Sequence, residues 1–320
     1  MTRNEFDIIR QYFRGLADNT GGVICGIGDD AAVLAIPPGH ELVVSTDTLV
    51  SGVHFPAATA AADVGHKALA VNLSDLAAMA ALPQWVTLAL TLPEDDPEWL
   101  AGFCGGFAVL ARETGVSLVG GDTTHGPLSI TITVMGVVPA GTAVKRSGAR
   151  PGDQIYVTGS LGGAGLALRR LLDGRYADVR NKRDVCLERL LRPRPRIATG
   201  LALRGIASAM IDISDGLAAD LGHILEDSGC GAIVQLEDIP IAPELHELTR
   251  AEFWRTALTA GDDYELCFTA PVAKRPEVER LTQQSLVPIT PIGEIMGSGL
   301  SWRNKDGSES KFPVTGYRHF

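Results

Sequence analysis

Four apolar or β-branched runs in this 320-residue chain end abruptly in aspartate beside small or hydroxyl residues. They are "GIGDD" (Asp29, Asp30), "VVSTD" (Ser45, Thr46, Asp47), "VGGDTT" (Gly121, Asp122) and "MIDISDG" (Asp212, Ser214, Asp215). Such runs read as strands, because branched side chains suit the pleated backbone. Between them lie segments with helical spacing of apolar residues, such as "ADVGHKALAVNLSDLAAMAALP" and "PEWLAGFCGGFAVLARETG". Strands alternating with helices predict an α/β fold, in which ligands gather at the carboxyl ends of strands. One aspartate there is an ordinary turn former or helix cap; four point to a site.

The length exceeds what one small core needs and predicts two domains, residues 1–142 and 143–320. The turn-rich "GTAVKRSGARPGD" marks the boundary. In the first half the spacing predicts a strand at "HELVVSTDTL", a helix capped by Asp63 and stopped by Pro83, and a helix closed by Gly115. In the second half "QIYVTGSLGGAGLALRRLL" reads as strand, glycine turn and helix, and "GDDYELCFTAP" as a strand introduced by acids. The five cysteines form no C-x-x-C pair and suggest neither disulfides nor zinc. A net charge of −10 argues against nucleic acid, and the short basic run "RPRPR" reads as a solvated connection. With no signal-like N-terminus and no long apolar run, the expected location is cytoplasmic.

A fifth acid, Asp75, falls within the Ala-rich "VNLSDLAAMAAL", with Asn72 on the same helical face. A carboxylate on a buried apolar face must be paired or metal-bound. Clustered carboxylates without His or Cys favour a hard cation, so Mg²⁺ is expected, and with it phosphate. An acidic pocket accepts ATP only with divalent ions between carboxylates and phosphate oxygens. The nucleotide cradle is not a P-loop, since no Gly precedes a Lys anywhere. "GIGDDA" fits G-x-G-x-x-A, yet Pro37 and Pro38 leave no room for the helix a dinucleotide fold requires. Ser214 and Asp215 open a helix, offering a positive dipole end and free N–H groups. Arg146, beside Lys145, is the arginine best placed in the sequence to meet a transferring phosphoryl group.

Taken together, "GIGDDAAV", "STDTLVSGVHF", "ALAVNLSDLAAMAA", "GGDTT", "KRSGARPGD", "DISDGLAADLGHI", "GDDYEL" and "GYRHF" closely resemble the bacterial thiamine-monophosphate kinases, in family order along nearly the whole chain. Several of these motifs also fit the wider superfamily of aminoimidazole ribonucleotide synthetase and selenophosphate synthetase. The resemblance implies a two-domain aminoimidazole-ribonucleotide-synthetase-like α/β (α+β) fold. Its N-terminal mixed sheet would form a barrel in a homodimer, and the active site would lie between that domain and a C-terminal α/β domain. It implies transfer of the γ-phosphoryl group of ATP to thiamine monophosphate. It assigns Asp30, Ser45, Thr46, Asp47, Asp75, Asp122, Asp212 and Asp215 to several Mg²⁺ ions, and Gly121, Asp122, Arg146 and Ser214 to ATP. His54, Asp263 and Phe320 or Tyr317 are assigned to the thiamine phosphate, with Arg146 and Asp75 at the catalytic step.

A phosphate monoester is already largely anionic at neutral pH, so as acceptor it needs no strong general base and an in-line transfer without a phosphoenzyme is expected. Two departures from the family pattern stand out. The usual GEDYEL is Gly261-Asp262-Asp263-Tyr264-Glu265-Leu266, which leaves open whether Asp262 or Asp263 meets the substrate. Gly105 and Gly106 replace an aromatic often found near adenine, leaving Phe103 and Phe107 as stand-ins. The competing functions are another ATP-dependent synthetase of the superfamily, a metal-dependent phosphatase or hydrolase, and a plain cation-binding module.

Overall fold

A computed structural model describes residues 5–16, 21–176, 184–284 and 287–312. The chain forms two compact units, one from residues up to 76 with 81–141, the other from residues 77–80 and from 142 onward.

The first unit opens with a helical turn, α1 (Glu5–Ile8), and a small ribbon, β1 (Val23–Cys25) and β2 (Val33–Leu34). Its main sheet contains β3 (His40–Val50), β4 (Leu82–Leu92), β5 (Ser117–His125) and β6 (Ser129–Pro139), in the order β3-β6-β4-β5. Only β4 and β5 run parallel. On one face Ile130, Ile132, Val134, Val86, Leu88 and Leu90 are buried. The residues between them, among them Thr46, Thr48 and Val44 on β3, lie on the other face, where Val44 is 53% exposed. Helices α2 (Ala61–Ala78) and α3 (Pro97–Thr114) pack closely through glycine: a Cβ at Gly106 would lie 1.8 Å from the Ala62 carbonyl oxygen. That explains "GFCGGF", in which Phe103 and Phe107 are fully buried in the core and so cannot stand in for an adenine contact. Asp63 sits inside the first turn of α2 rather than capping it, while Gly115 closes α3 in the left-handed conformation, φ 71°.

In the second unit seven strands run in the order β13-β12-β9-β11-β7-β10-β8. They are β7 (Gln154–Thr158), β8 (Ala209–Asp212), β9 (Gly231–Gln235), β10 (Leu266–Ala270), β11 (Ile289–Met296), β12 (Leu300–Arg303) and β13 (Glu309–Ser310), all antiparallel except the β9–β12 pair. Helices α4 (Gly163–Leu172), α5 (Val185–Leu191), α6 (Ile197–Ala202), α7 (Leu217–Ser228), α8 (Arg250–Thr259) and α9 (Arg275–Gln284) complete it. The sheet is buried on both sides. One cluster gathers Ile155, Val157, Ile211, Cys267 and residues of α7; the other gathers Tyr156, Met210 and Phe268, with the Tyr156 and Phe268 rings stacked at 5.0 Å. Cys104, Cys186 and Cys267 are buried and all five cysteines are free.

Candidate active site

In the first unit, alternation along β3 turns Ser45 and Asp47 toward α2 and Thr46 away from it. The Ser45 hydroxyl donates to Asp75 Oδ2 at 2.5 Å, and the Asp47 backbone N–H donates to Asn72 Oδ1 at 2.9 Å. Asn72 is anchored in turn by donating to the Ala68 carbonyl at 2.9 Å. Burial, with the Asp75 charge added, pushes the Asp47 carboxyl up to about 6. Two carboxylates and a hydroxyl on rigid elements, repelling one another, form an all-oxygen donor set suited to a hard divalent cation.

Within the first unit, the other residues assigned to metal lie apart from this group. Thr46 shares a hydrogen bond with Thr133 at 2.8 Å on the opposite sheet face. Register carries Asp47 through Ile132 and Leu88 to Gly121, so Asp122, paired with Ala89, also points to that opposite face. It belongs to the far edge strand, three spacings of about 4.8 Å or roughly 14 Å from β3. Gly121 is there for close backbone approach: its φ is 151° and a Cβ would lie 1.8 Å from the Leu88 carbonyl oxygen. Asp30 is exposed after β1, and its N–H donates to Asp29 Oδ1 at 2.9 Å, which makes Asp29 the turn former. Among the described residues no group of three or more His, Cys, Asp or Glu is gathered to hold a metal ion. His54 is half-buried and accepts the Val50 N–H at Nδ1, 2.9 Å, so a substrate contact would use its other ring edge.

In the second unit Asp212 ends β8, 3% exposed, and Ser214 and Asp215 follow it. The free N–H groups expected here are not free. Asp220, 2% exposed in the first turn of α7, accepts at Oδ2 from Ser214 (3.1 Å), Asp215 (3.1 Å) and Gly216 (3.0 Å). An internal carboxylate thus occupies the position a phosphate would take at this helix start. Burial, then the Asp215 charge, raises the Asp220 carboxyl to about 7 even with those three donors. Asp220 went unnoticed in the sequence because an acid in a first helical turn reads as a dipole complement; its spacing after Ser-Asp-Gly was the available signal.

The segment carrying Asp263 lies against this turn. Ile213 N–H donates to the Glu265 carbonyl (2.7 Å), Tyr264 N–H to that of Ile213 (2.8 Å) and Asp262 N–H to that of Ser214 (2.8 Å). Asp263 accepts the Gly162 N–H at both carboxyl oxygens, 3.0 and 2.8 Å, and burial raises its carboxyl to about 8. Asp262 instead accepts from the Tyr264 hydroxyl at 3.0 Å. Arg146 is exposed, its side chain in no ion pair among the described residues, while its carbonyl accepts from Ser228 Oγ at 3.4 Å. "RPRPR" is only partly the solvated connection expected: Arg194 is 79% exposed, but Arg196 forks onto the buried Glu265. Tyr317 and Phe320 lie outside the described residues.

Two units of mixed strands and helices match the AIR synthase related proteins: residues 28–138 match the N-terminal domain of that family and residues 150–301 its C-terminal domain. Within this class, the thiamine-monophosphate kinase of Salmonella typhimurium is 46% identical over 323 residues, covering 100% of this chain and 99% of the relative. The crystal structure of that kinase from Stenotrophomonas maltophilia superposes with a TM-score of 0.88 at 45% identity, over 95% of this chain and 97% of the other. A second structure, AaThiL complexed with AMPPCP and TMP, has a TM-score of 0.75 at 31% identity, covering 92% of each chain. The chain belongs to the thiamine-monophosphate kinase family.

Proposed function

We propose that this protein transfers the γ-phosphoryl group of ATP to thiamine monophosphate, giving thiamine diphosphate and ADP. The observation that carries this function is the 46% identity to a thiamine-monophosphate kinase over 100% of this chain and 99% of the relative. A relative spanning 92% of the chain was solved with AMPPCP and TMP, a nucleotide analogue and an acceptor together.

Asp47, Asp75 and Ser45 would hold one Mg²⁺, and Asp30, Thr46, Asp122, Asp212 and Asp215 would serve further Mg²⁺ ions. Ions held by these residues would supply positive charge to offset that developing on the transferred phosphoryl group. Gly121, Asp122 and Ser214 contribute to the nucleotide site, and the exposed Arg146 guanidinium meets the phosphoryl group. His54 and Asp263 hold the thiamine phosphate, together with Tyr317 or Phe320. No general base is required of any of them, because the acceptor phosphate is already anionic.

A homodimer fits the same geometry. Both edge strands of the first unit's sheet, β3 and β5, lack an outer neighbour among the described residues, and its Thr-rich face is open. No helix among the described residues is long and apolar enough to cross a membrane.

The test is product analysis with ATP, Mg²⁺ and thiamine monophosphate. Thiamine diphosphate formed one-for-one with ADP is expected; inorganic phosphate without thiamine diphosphate would overturn the function in favour of a phosphatase.

A further inference from the structure

We propose that Arg196 is a positioning residue for the thiamine monophosphate site, acting through Glu265 on the two backbone segments that present Asp263; this rests on the kinase function proposed above.

Arg196 is the last residue of the basic run, whose other two arginines, Arg192 and Arg194, are exposed. Its side chain is 21% exposed and that of Glu265 5%. Nε donates to Glu265 Oε2 at 2.6 Å and the terminal nitrogen to Oε1, a fork-on-fork pair across 69 residues of sequence. The same Oε2 accepts from the Thr158 hydroxyl at 2.6 Å, and Thr158 Oγ1 accepts the Leu266 N–H at 2.8 Å. One carboxylate thereby ties the end of β7 to the start of β10.

The next residue explains why that tie reaches the site. Gly159 has a φ of 61°, and a Cβ there would lie 2.0 Å from Glu265 Oε1, so the carboxylate rests directly on the glycine turn. Three residues on, the Gly162 N–H donates to both oxygens of Asp263. Glu265 grips the beginning of the turn and Asp263 is bound to its end. Asp262 and Tyr264, on either side of Asp263, have φ of 60° and 50°, left-handed conformations that persist only where the surroundings fix them. The Ser214 and Ile213 carbonyls hold their N–H groups, and the planar guanidinium fork adds a grip on Glu265, the next residue, that an ammonium, a point charge, would not match.

Two variants test this, each measured for the KM of thiamine monophosphate, the KM of ATP, kcat and the melting temperature. Arg196→Lys keeps the charge and loses the fork. The double variant Arg196→Met with Glu265→Gln removes both charges and so leaves no unpaired buried ion, the usual cause of unfolding when one partner is deleted. The expected result in both is a KM for thiamine monophosphate raised about tenfold or more, with the KM of ATP within about threefold of wild type and near-native melting. Unchanged KM for thiamine monophosphate in both variants, or equal rises for both substrates that follow a loss of melting temperature, would overturn the positioning role. A wild-type protein that makes no thiamine diphosphate would instead remove the kinase function itself, so the two failures are separable. Should the double variant fail to fold, Arg196→Lys still decides.

Discussion

The acids of the first unit and those of the second are strained in different currencies. Asp47 and Asp75 sit on regular elements, an eleven-residue strand in unbroken register with β6 and the helix α2. Nothing in their backbone is unusual, and the tension lies in the charges, visible as the Asp47 carboxyl raised to about 6 by burial and by Asp75. In the second unit the tension lies in the backbone. Asp263 is flanked by two left-handed residues, and Asp220 spends its carboxylate on three N–H groups of one turn. The first arrangement is rigid and short of positive charge, which a divalent cation supplies. The second has its shape imposed from outside, which suits presenting loops to a substrate.

The largest effect expected from this contrast is on activity in the first unit. Asp75→Asn relieves the repulsion and removes a metal oxygen, so turnover should fall by at least about 10²–10³-fold with an unchanged circular dichroism spectrum. Near-normal thiamine diphosphate formation in that variant would break the assignment of Asp75 to the metal. In the second unit the largest effect should be on stability: Asp220→Ala orphans three N–H groups, that of Gly216 buried and those of Ser214 and Asp215 half-buried, at a cost of about 1–3 kcal/mol for each that stays unsatisfied. Asp220→Asn keeps an acceptor oxygen in place and should recover most of the melting temperature. Equal losses in the two variants would mean that the charge, not the acceptor geometry, holds the turn.

A smaller, pH-dependent effect belongs to Asp263. Its carboxyl is raised to about 8, chiefly by burial, above the ordinary aspartate value of about 3.9 of an unfolded chain. A raised acid binds its proton more tightly when folded, so its contribution to stability is complete below about pH 4 and is lost as the pH climbs through about 8. Asp263→Asn cannot ionise and should therefore melt close to wild type at pH 4 but increasingly above it toward pH 8. A constant difference across that window would show that Asp263 is ionised throughout.

Much of the architecture was legible because it rests on local pattern. The strand at His40–Val50, the helix holding Asp75 and the Gly115 stop follow from residue spacing and turn chemistry. What escaped depends on partners remote in sequence or on counting faces. Arg196 looked solvated because its carboxylate lies 69 residues away. Asp122 looked like a companion of Asp47 because each closes an apolar run that reads as a strand end; β3 and β5 in fact run on past them, and only the strand order with its register separates the two by edge and by face. The helix start at Ser214 looked like an anion site because the sequence does not show that Asp220 folds back onto it.

The smallest expected effect sharpens the question raised by the shortened acid of Gly261-Asp262-Asp263. Asp262 holds φ 60°, a conformation that Asp tolerates better than longer side chains because its short polar group bonds locally. Its Oδ1 does so, accepting from the Tyr264 hydroxyl at 3.0 Å, while Asp263 is the acid bound to the glycine turn. Asp262→Glu, which restores the usual family residue, should therefore lower stability by roughly 0.5–1 kcal/mol and leave the KM of thiamine monophosphate unchanged. A change in KM without a change in melting temperature would move the substrate contact from Asp263 to Asp262. The strained backbone would then serve to aim Asp262, and Asp263 would be reduced to a brace on the Gly162 turn.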